Sequence, residues 1–424
     1  MIPSLIIISI IMAFLGAPIF VVLSSLSLAA YLSTGLPLPN MIVDIYNKFS
    51  HHPFLYTLPL FTLLGYILAE SKSSSRILKL VKNIFGWLPG GLALVGLVTC
   101  AFFTAFTGAS GVTIIALGGL IYPALLKEKY PENFSLGLIT SSGSLGLLLP
   151  PSLPVLIYCV VSETSVEEVF VAGLIPSLVL ILLLFFYTLF ITKKIDLPKE
   201  PFSFKNLLIS VFEAKWDLFI PFFLIIGIGG GYVTIGESAA LLIIYSLLVE
   251  IFIHQDLALK EIPQLVKKSM VLIGGIFIIM GSAYALTNYM IDAEIPNSIL
   301  NFMKQFITSK ILFLILLNIF LLFLGCLLDV FSAILVAVPL ILPLASNFGL
   351  SPVHLGVIFL INLEIGYLTP PVGINLFLSS YRFDKPVLSI YKATVPFMFI
   401  LLIGLLLVTY LESLSLFLVS YFRG

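Results

Sequence analysis

Apolar residues fall in long blocks along this chain, separated by short polar stretches, with no strand-like alternation. The blocks cover residues 3–14, 17–33, 53–70, 92–126, 134–161, 168–192, 217–231, 237–254, 269–291, 310–346, 354–381 and 394–418. A helix needs about 20 residues to cross roughly 30 Å of hydrocarbon, and blocks near that length recur from end to end. Two blocks, 92–126 and 310–346, are too long for one crossing and hold small or polar residues at their centres, "FTGAS" at 106–110 and "GCLLD" at 325–329. The arms of the first are about 15 residues each, roughly 22 Å, which predicts a re-entrant helical hairpin rather than two spans. Irregular backbone is tolerated at membrane depth only where it is buried in protein or lines a cavity. Blocks 134–161 and 354–381 are interrupted by "SSGSLGLLLPPS" at 141–152 and "NLEIGYLTPPVG" at 362–373. Glycine frees the backbone and proline removes donors, so each block predicts a discontinuous helix. Stretches 72–88, 258–268 and 294–306 read as amphipathic helices at the membrane interface.

The two unusual pairs are one device used twice. Shifting the chain against itself by 220 residues brings Pro123 onto Pro343, Pro150 onto Pro370, Pro151 onto Pro371, Pro176 onto Pro396 and Gly146 onto Gly366. Windows 87–180 and 307–400 hold seven prolines each. Chance would align about half a proline, so four without a gap mark an internal repeat. The expected fold is an all-α polytopic membrane protein of two repeats: 1–192, a linker over 193–216, and 217–424.

Composition agrees. Of 424 residues, 60% are hydrophobic and 10% charged, with a mean hydropathy of +1.18; soluble domains carry about a quarter charged residues. A net charge of zero argues against nucleic-acid binding. Cys100, Cys159 and Cys326 sit in apolar blocks and suit no disulfide framework. His51, His52, His254 and His354 lie near block ends without metal-ligand spacing, and read as interfacial. The first block lacks the basic start of a signal peptide and is read as a membrane helix.

Lysine and arginine set the orientation. Arg76, Lys79, Lys82, Lys127 and Lys129 flank the first hairpin, which then enters from the cytoplasm. Lys193, Lys194, Lys199, Lys205, Lys215, Lys260, Lys267 and Lys268 place the middle of the chain inside. The second hairpin ends in the uncharged "SNFGLSPVHL", so it enters from outside, and Arg382, Lys385 and Lys392 return the chain to the inside. The repeats are thus expected to be inverted, with both termini outside; Lys304 and Lys310 run against this assignment.

Inverted repeats with discontinuous helices are the signature of secondary transporters. Unwound segments expose carbonyl oxygens, and half-helix ends carry partial charge for ions and carboxylates. Ser110, Ser141, Ser142, Asn362 and Thr369 add side-chain oxygens, the ligand type that hard cations prefer. Asp329, an acid at a hairpin tip, reads as an ion ligand, a proton relay or the N-cap of the second arm. Glu364, inside the second broken helix, faces a cavity or pairs with a base on a partner chain. Glu237 follows a glycine run and starts a helix. No Ser–His, paired-acid or HExxH spacing supports an enzyme.

The segments "FTGASGVTIIALGGLIYPAL", "SSGSLGLLLPPSLPVLIY", "AGLIPS", "GGGYVTIGESAA", "GCLLDVFSAILVAVPLILPLA" and "PVHLGVIFLINLEIGYLTPPVGINLFL" occur in this order over nearly the whole chain. Together they resemble the large membrane subunit (M subunit) of TRAP transporters, the tripartite ATP-independent periplasmic systems. The resemblance implies an elevator-type, Na⁺-coupled importer of an organic acid (a C4-dicarboxylate, a sialic acid or a similar carboxylate) in a bacterial inner membrane. It implies a small four-helix membrane subunit (Q subunit) and a periplasmic substrate-binding protein (P subunit) as partners, and no cofactor besides Na⁺ as coupling ion. Carried over, one Na⁺ site involves Thr107, Ser110, Ser142 and Gly143, and the other Gly325, Asp329, Gly366 and Thr369. Substrate would lie between the tips, near Ser110, Ser141, Asn362 and Thr369. The alternative is the membrane subunit of a tripartite tricarboxylate-type system, or a stand-alone carboxylate transporter.

Overall fold

The computed structural model describes residues 7–9, 11, 12, 15–34, 37–51, 55–195, 201–307 and 309–423. Part of the first apolar block, His52 and Lys199 lie outside the described residues. Among the described residues all regular structure is helical. The chain opens with α1 (Ile19–Thr34), α2 (Leu38–His51), α3 (Thr57–Glu70) and α4 (Ser73–Phe85). The first long block forms α5 (Gly91–Thr107) and α6 (Ser110–Lys127); the first interrupted block forms α7 (Glu132–Ser142) and α8 (Leu153–Ser162). There follow α9 (Val166–Thr192), α10 (Phe204–Gly229), α11 (Ile235–Leu248), α12 (Ile262–Asp292) and α13 (Ile295–Lys304). The second long block forms α14 (Lys310–Leu327) and α15 (Val330–Asn347), the second interrupted block α16 (Pro352–Gly366) and α17 (Ile374–Phe383). The chain closes with α18 (Val387–Tyr410) and α19 (Ser413–Arg423).

Seven stretches among the described residues are long and apolar enough to cross a membrane: α6, α9, α11 with its π-helical extension to Ile253, the stretch Leu259–Asp292 containing α12, α14, α15 and α18. Both long blocks break at the expected tips, at Gly108–Ala109 and at Leu328–Asp329. Both interrupted blocks break over the Pro–Pro pairs, and the peptides Pro150–Pro151 and Pro370–Pro371 are cis.

Polar side chains set the local starts. Ser165, Ser203 and Ser309 cap α9, α10 and α14 by accepting a backbone N–H three residues on. Thr234 and Glu237 form a capping box at the start of α11, with the Thr234 N–H donating to Glu237 Oε2 at 2.8 Å. The glycine run before Glu237 is therefore a turn into a helix, as its sequence predicts.

Four features differ from the hydropathy reading. Stretch 258–268 is not a separate interface helix: a short 3₁₀ turn, Leu259–Glu261, runs directly into the 31-residue α12. The linker 193–216 contains the start of α10, because Glu213 and Asp217 find basic partners on α4 and the polar residues there sit on a folded helix. Helix α2 is an amphipathic helix between two blocks; Asn40, Asp44, Asn47 and Lys48 dilute its hydropathy, while Phe49 packs edge-on against Phe277 of α12 at 5.6 Å. The last block divides at Leu411 and Glu412 into α18 and α19, where Lys310 pairs with Glu412.

The broken helices occupy the centre. Every residue of α16 from Val353 to Gly366 is buried, as is every residue of α7 from Phe134 to Ser142. A helix buried all round must be apolar all round, so the few polar groups in these segments stand out. His354 is one of them: it is fully buried, with Nε2 at 3.4 Å from Thr409 O, not interfacial. The packing is reciprocal. α8 lies against α15, and α17 against α6, so the second segment of each broken helix seats on the other half's hairpin. In the same way α5 packs on α7, and α14 on α16.

Helix α4 is bound to the peripheral helices by a buried charge cluster. Arg76 donates from Nε to Asp217 Oδ2 (2.7 Å), from Nη2 to Glu250 Oε1 (2.6 Å) and from Nη1 to Asp256 Oδ2 (2.5 Å). Lys72 Nζ stands 3.2 Å from Asp256 Oδ1. Burial pushes the Asp256 carboxyl up, but hydrogen bonds from Arg76 and Lys72 prevail and hold it below the usual carboxylate range. A depressed folded pKa gives stability that is complete above the unfolded value and is lost as pH falls through the folded one. Thermal stability in detergent is therefore expected to fall below about pH 4, and Asp256→Asn should flatten that acid limb; an unchanged limb would remove Asp256 from the cause.

Candidate functional site

The hairpin tips and helix breaks meet as two sets. At the first tip, Gly108 ends α5 in the left-handed region, φ +63°, and its N–H donates to Thr104 O at 2.8 Å. A side chain there would collide with Leu153 at the start of α8, since an added Cβ would lie 2.8 Å from Leu153 Cβ. Thr104 Oγ1 donates to Gly143 O at 2.8 Å and shares a hydrogen bond with Thr113 Oγ1 at 2.6 Å, tying both hairpin arms to the break. Of the expected Na⁺ ligands, Gly143 thus meets Thr104, not Thr107. Thr107 Oγ1 turns to its own loop, 3.4 Å from Ala109 O, and Ser142 Oγ donates back to Leu138 O at 2.6 Å. The hydroxyls of Thr107, Ser110 and Ser142 are not bonded to one another; Ser110 Oγ donates to Asn375 Oδ1 of α17 at 2.8 Å.

At the second tip two glycines make the contact. A Cβ on Gly366 would lie 2.6 Å from Gly325 C and 2.7 Å from Gly325 Cα. The first half repeats this: a Cβ on Gly146 would lie 2.1 Å from Ala101 O and 2.5 Å from Ala105 N. Gly146 and Ala105 are the partners of Gly366 and Gly325 under the 220-residue shift. The Gly373 N–H donates to Cys326 O at 3.1 Å and ties the loop after the prolines to the same arm. Asp329 caps α15: Oδ1 accepts from Phe331 N (3.0 Å) and Ser332 N (3.1 Å), and Oδ2 accepts from Ser332 Oγ (2.5 Å). Thr369 Oγ1 donates to Ile365 O at 3.0 Å. Of this set, the structure joins Gly325 to Gly366, leaves Asp329 bonded within its own turn, and sets Thr369 Oγ1 against Ile365 O and, at 3.6 Å, Met398 Sδ of α18.

The expected substrate residues are likewise divided. Ser110 faces α17, whereas Asn362 faces α14, donating from Nδ2 to Asn318 Oδ1 at 2.8 Å. Ser141 Oγ, Asn362 Oδ1 and Asn375 Nδ2 are buried without a hydrogen-bond partner. An orphaned buried polar group costs about 1–3 kcal/mol, and each of these three lies within a few residues of a helix break. Glu364 is 1% exposed, enclosed by its own chain.

Sequence reasoning missed Thr104, Thr113, Asn318, Ser332, Asn375 and Ser379; Thr140 Oγ1 lies 2.9 Å from Ser379 Oγ. Asn375, an amide two residues past Gly373 in an apolar block, was the available signal. The others are hydroxyls and an amide inside helices, where a packing role looks the same from sequence.

The comparisons with known proteins agree with this architecture. The family model of the tripartite ATP-independent periplasmic transporter, DctM component, matches residues 5–414. The C4-dicarboxylate TRAP transporter large permease protein of Pseudomonas aeruginosa is 32% identical over 396 residues, 92% of this chain and 93% of that protein. The isethionate TRAP transporter permease protein DctMQ of Oleidesulfovibrio alaskensis is 32% identical over 405 residues, 95% of this chain, which spans 64% of that longer protein. The YdaH transporter of Alcanivorax borkumensis shares the fold at a TM-score of 0.63 and 13% identity, covering 89% of each chain. The chain therefore belongs to the DctM component of the tripartite ATP-independent periplasmic transporters: it is the large, multi-pass permease subunit of a secondary transporter, and not an enzyme.

Proposed function

We propose that this subunit imports a small organic acid across a bacterial inner membrane, driven by Na⁺, with a small membrane subunit and a periplasmic binding protein as partners. The observation that carries this reading is the reciprocal seating of α8 on α15 and α17 on α6, with orphaned polar atoms of Ser141, Asn362 and Asn375 nearby. The hairpins and broken helices, α5–α8 and α14–α17, form the moving part of an elevator; α1–α4 and α10–α13 form the frame, and both termini face the periplasm. The cargo of the two relatives, a C4-dicarboxylate and isethionate, is small and anionic in both cases. Asn375 Nδ2, an unused donor, suits an anionic oxygen; Ser141 Oγ and Asn362 Oδ1, unused acceptors, suit a cation. Asp329 and Thr369 join the cation set once the tip rearranges.

Thermal unfolding in detergent tests the ion. A ligand that binds only the folded state stabilises it by about 2.7 kcal/mol at a hundredfold excess over Kd. A saturable shift in NaCl, absent in KCl or choline chloride of equal ionic strength, is expected. Asp329→Ala should remove both the shift and most Na⁺-dependent uptake in proteoliposomes, while membrane insertion is kept. Asp329→Ser separates the roles, since serine still caps α15 but supplies no carboxylate. A full Na⁺ shift in Asp329→Ser would reduce Asp329 to a cap. Uptake that proceeds without the binding protein would favour a stand-alone carboxylate transporter.

A further inference from the structure

The first hairpin is fastened to the second half along its second arm. Helices α6 and α17 run side by side in the same direction, since Ser110 meets Asn375, Gly111 meets Leu378 and Gly118 meets Phe383. Arg382 closes this seam. Its Nε donates to Ile115 O at 2.8 Å, and its guanidinium lies over Gly119, where an added Cβ would stand 1.7 Å from Nη2. A helical carbonyl keeps one lone pair free, and glycine at 119 leaves the room to reach it. Just past α17, Lys385 pairs with Glu132 at the start of α7, and Tyr122 of α6 donates to the same carboxylate at 3.1 Å. The Thr140–Ser379 bond ties α7 to α17 as well.

The 220-residue shift makes the seam of α15 on α8 a built-in comparison. There Val330 and Val155 replace Ser110 and Asn375, Leu335 and Ser162 replace Ile115 and Arg382, and Leu360 and Cys159 replace Thr140 and Ser379. Leu342, Pro352 and Ser165 stand in the places of Tyr122, Glu132 and Lys385. No charge remains in the set, and the Ser162 hydroxyl donates to Thr164 Oγ1 of its own loop at 2.9 Å. Pro339 stands in the place of Gly119 and removes a backbone donor from the middle of α15. Parting these apolar side chains breaks no hydrogen bond between them. Parting the first seam breaks those of Ser110, Tyr122 and Arg382. What covers α15 lies outside the seam: α12 and α13 of the frame pack against it.

We propose that Arg382 is a positioning residue for transport: it clamps the first hairpin to α17, so that this hairpin stays shut through the cycle and the second hairpin is the gate. Arg382 lies about 12 Å along α17 from Ile374 and acts through the register it sets. With α17 held on α6, Ser110 Oγ stays on Asn375 Oδ1 and the Asn375 Nδ2 donor stays unused by the protein. The second hairpin keeps its first arm on α16 through Gly325 and Gly366, and α15 swings off α8 about that contact. Here α12 and α13 stand in the way of that swing, so the gate opens only after the moving part has left this position against the frame. The clamp stands on its own contacts; the gate rests on the import reading above.

Amide hydrogen exchange on the full chain in detergent tests the clamp. Arg382→Ala should speed exchange over residues 113–122 of α6 about tenfold, with α12 and α18 unchanged. Arg382→Lys, which keeps a donor for Ile115 O, should stay within about twofold of wild type. Gly119→Ala keeps the arginine but fills its seat, and should match Arg382→Ala. An unchanged rate in α6, or a faster rate throughout the chain, overturns the clamp. Mercury(II) bridging tests the gate, in a chain whose three native cysteines are replaced by alanine and that is reconstituted with the partner subunits. A bridge across Gly111→Cys/Leu378→Cys joins α6 to α17 and should leave uptake as it is. A bridge across Val155→Cys/Val330→Cys joins α8 to α15 and should stop uptake until dithiothreitol removes the metal. Uptake lost with the first bridge, or kept with the second, overturns the gate. Absence of organic-acid uptake before bridging would reject the import reading, and the exchange rates would still decide the clamp.

Discussion

Gly366→Ala is expected to cut uptake at least tenfold and to lower the unfolding temperature. The added methyl would sit 2.6 Å from Gly325 C and 2.7 Å from Gly325 Cα, well inside carbon contact distance. Both neighbours are backbone, so no rotamer change relieves the clash; the second hairpin must move off its broken helix. Overpacking costs typically 1–3 kcal/mol, and about 1.4 kcal/mol is tenfold in an equilibrium. Gly146→Ala, 2.1 Å from Ala101 O, should have the same effect in the first half. Gly275→Ala in α12 is the control, since its Cβ would meet nothing within 4 Å. Uptake and melting in the two repeat variants equal to that control would mean that the glycine contacts do not hold tip to break.

The second large effect belongs to Arg76. Arg76→Met should prevent the chain from accumulating folded, or lower its stability by about 3–5 kcal/mol, because removing one partner of a buried ion pair strands the other. Here Asp217, Glu250 and Asp256 are stranded together, with side-chain exposures of 2%, 1% and 5%. The companion variant Arg76→Met/Asp217→Asn/Glu250→Gln removes most of the stranded charge and should recover part of the loss. Size-exclusion profiles and melting in detergent read both. A stable Arg76→Met protein would show that the cluster does not hold α4 to α10. The pair Lys79–Glu213 on the same two helices is exposed, and surface pairs contribute about 0–1 kcal/mol; it should change little.

Much of the architecture was legible because membrane physics writes it into composition. A span needs a long apolar block, so α9, α11, α12 and α18 announce themselves, and a longer block with a polar centre must break there, as α5–α6 and α14–α15 do. The proline and glycine matches at a spacing of 220 residues show the repeat, and both Pro–Pro pairs do end at helix breaks. Helix α2 and the first turns of α10 were not legible: their polar residues are satisfied by partners far away in sequence, as Glu213 is by Lys79. Hydropathy sums residues and does not see partners.

The polytopic all-helical class, the two hairpins, the two interrupted helices and the polar residues inside them are all written in the order of the residues. Each of these follows from local chemistry: apolar length, glycine freedom and the missing proline donor. Which of those residues meet depends on how the two halves pack. Ser110 reaches Asn375, 265 positions away, and not Ser142; Thr104, not Thr107, holds Gly143 O; Glu364 is enclosed by its own chain. The reason is that a helix puts neighbours two residues apart on opposite faces, while the reciprocal packing of the two halves brings distant residues together; pairing in this protein is set by that packing.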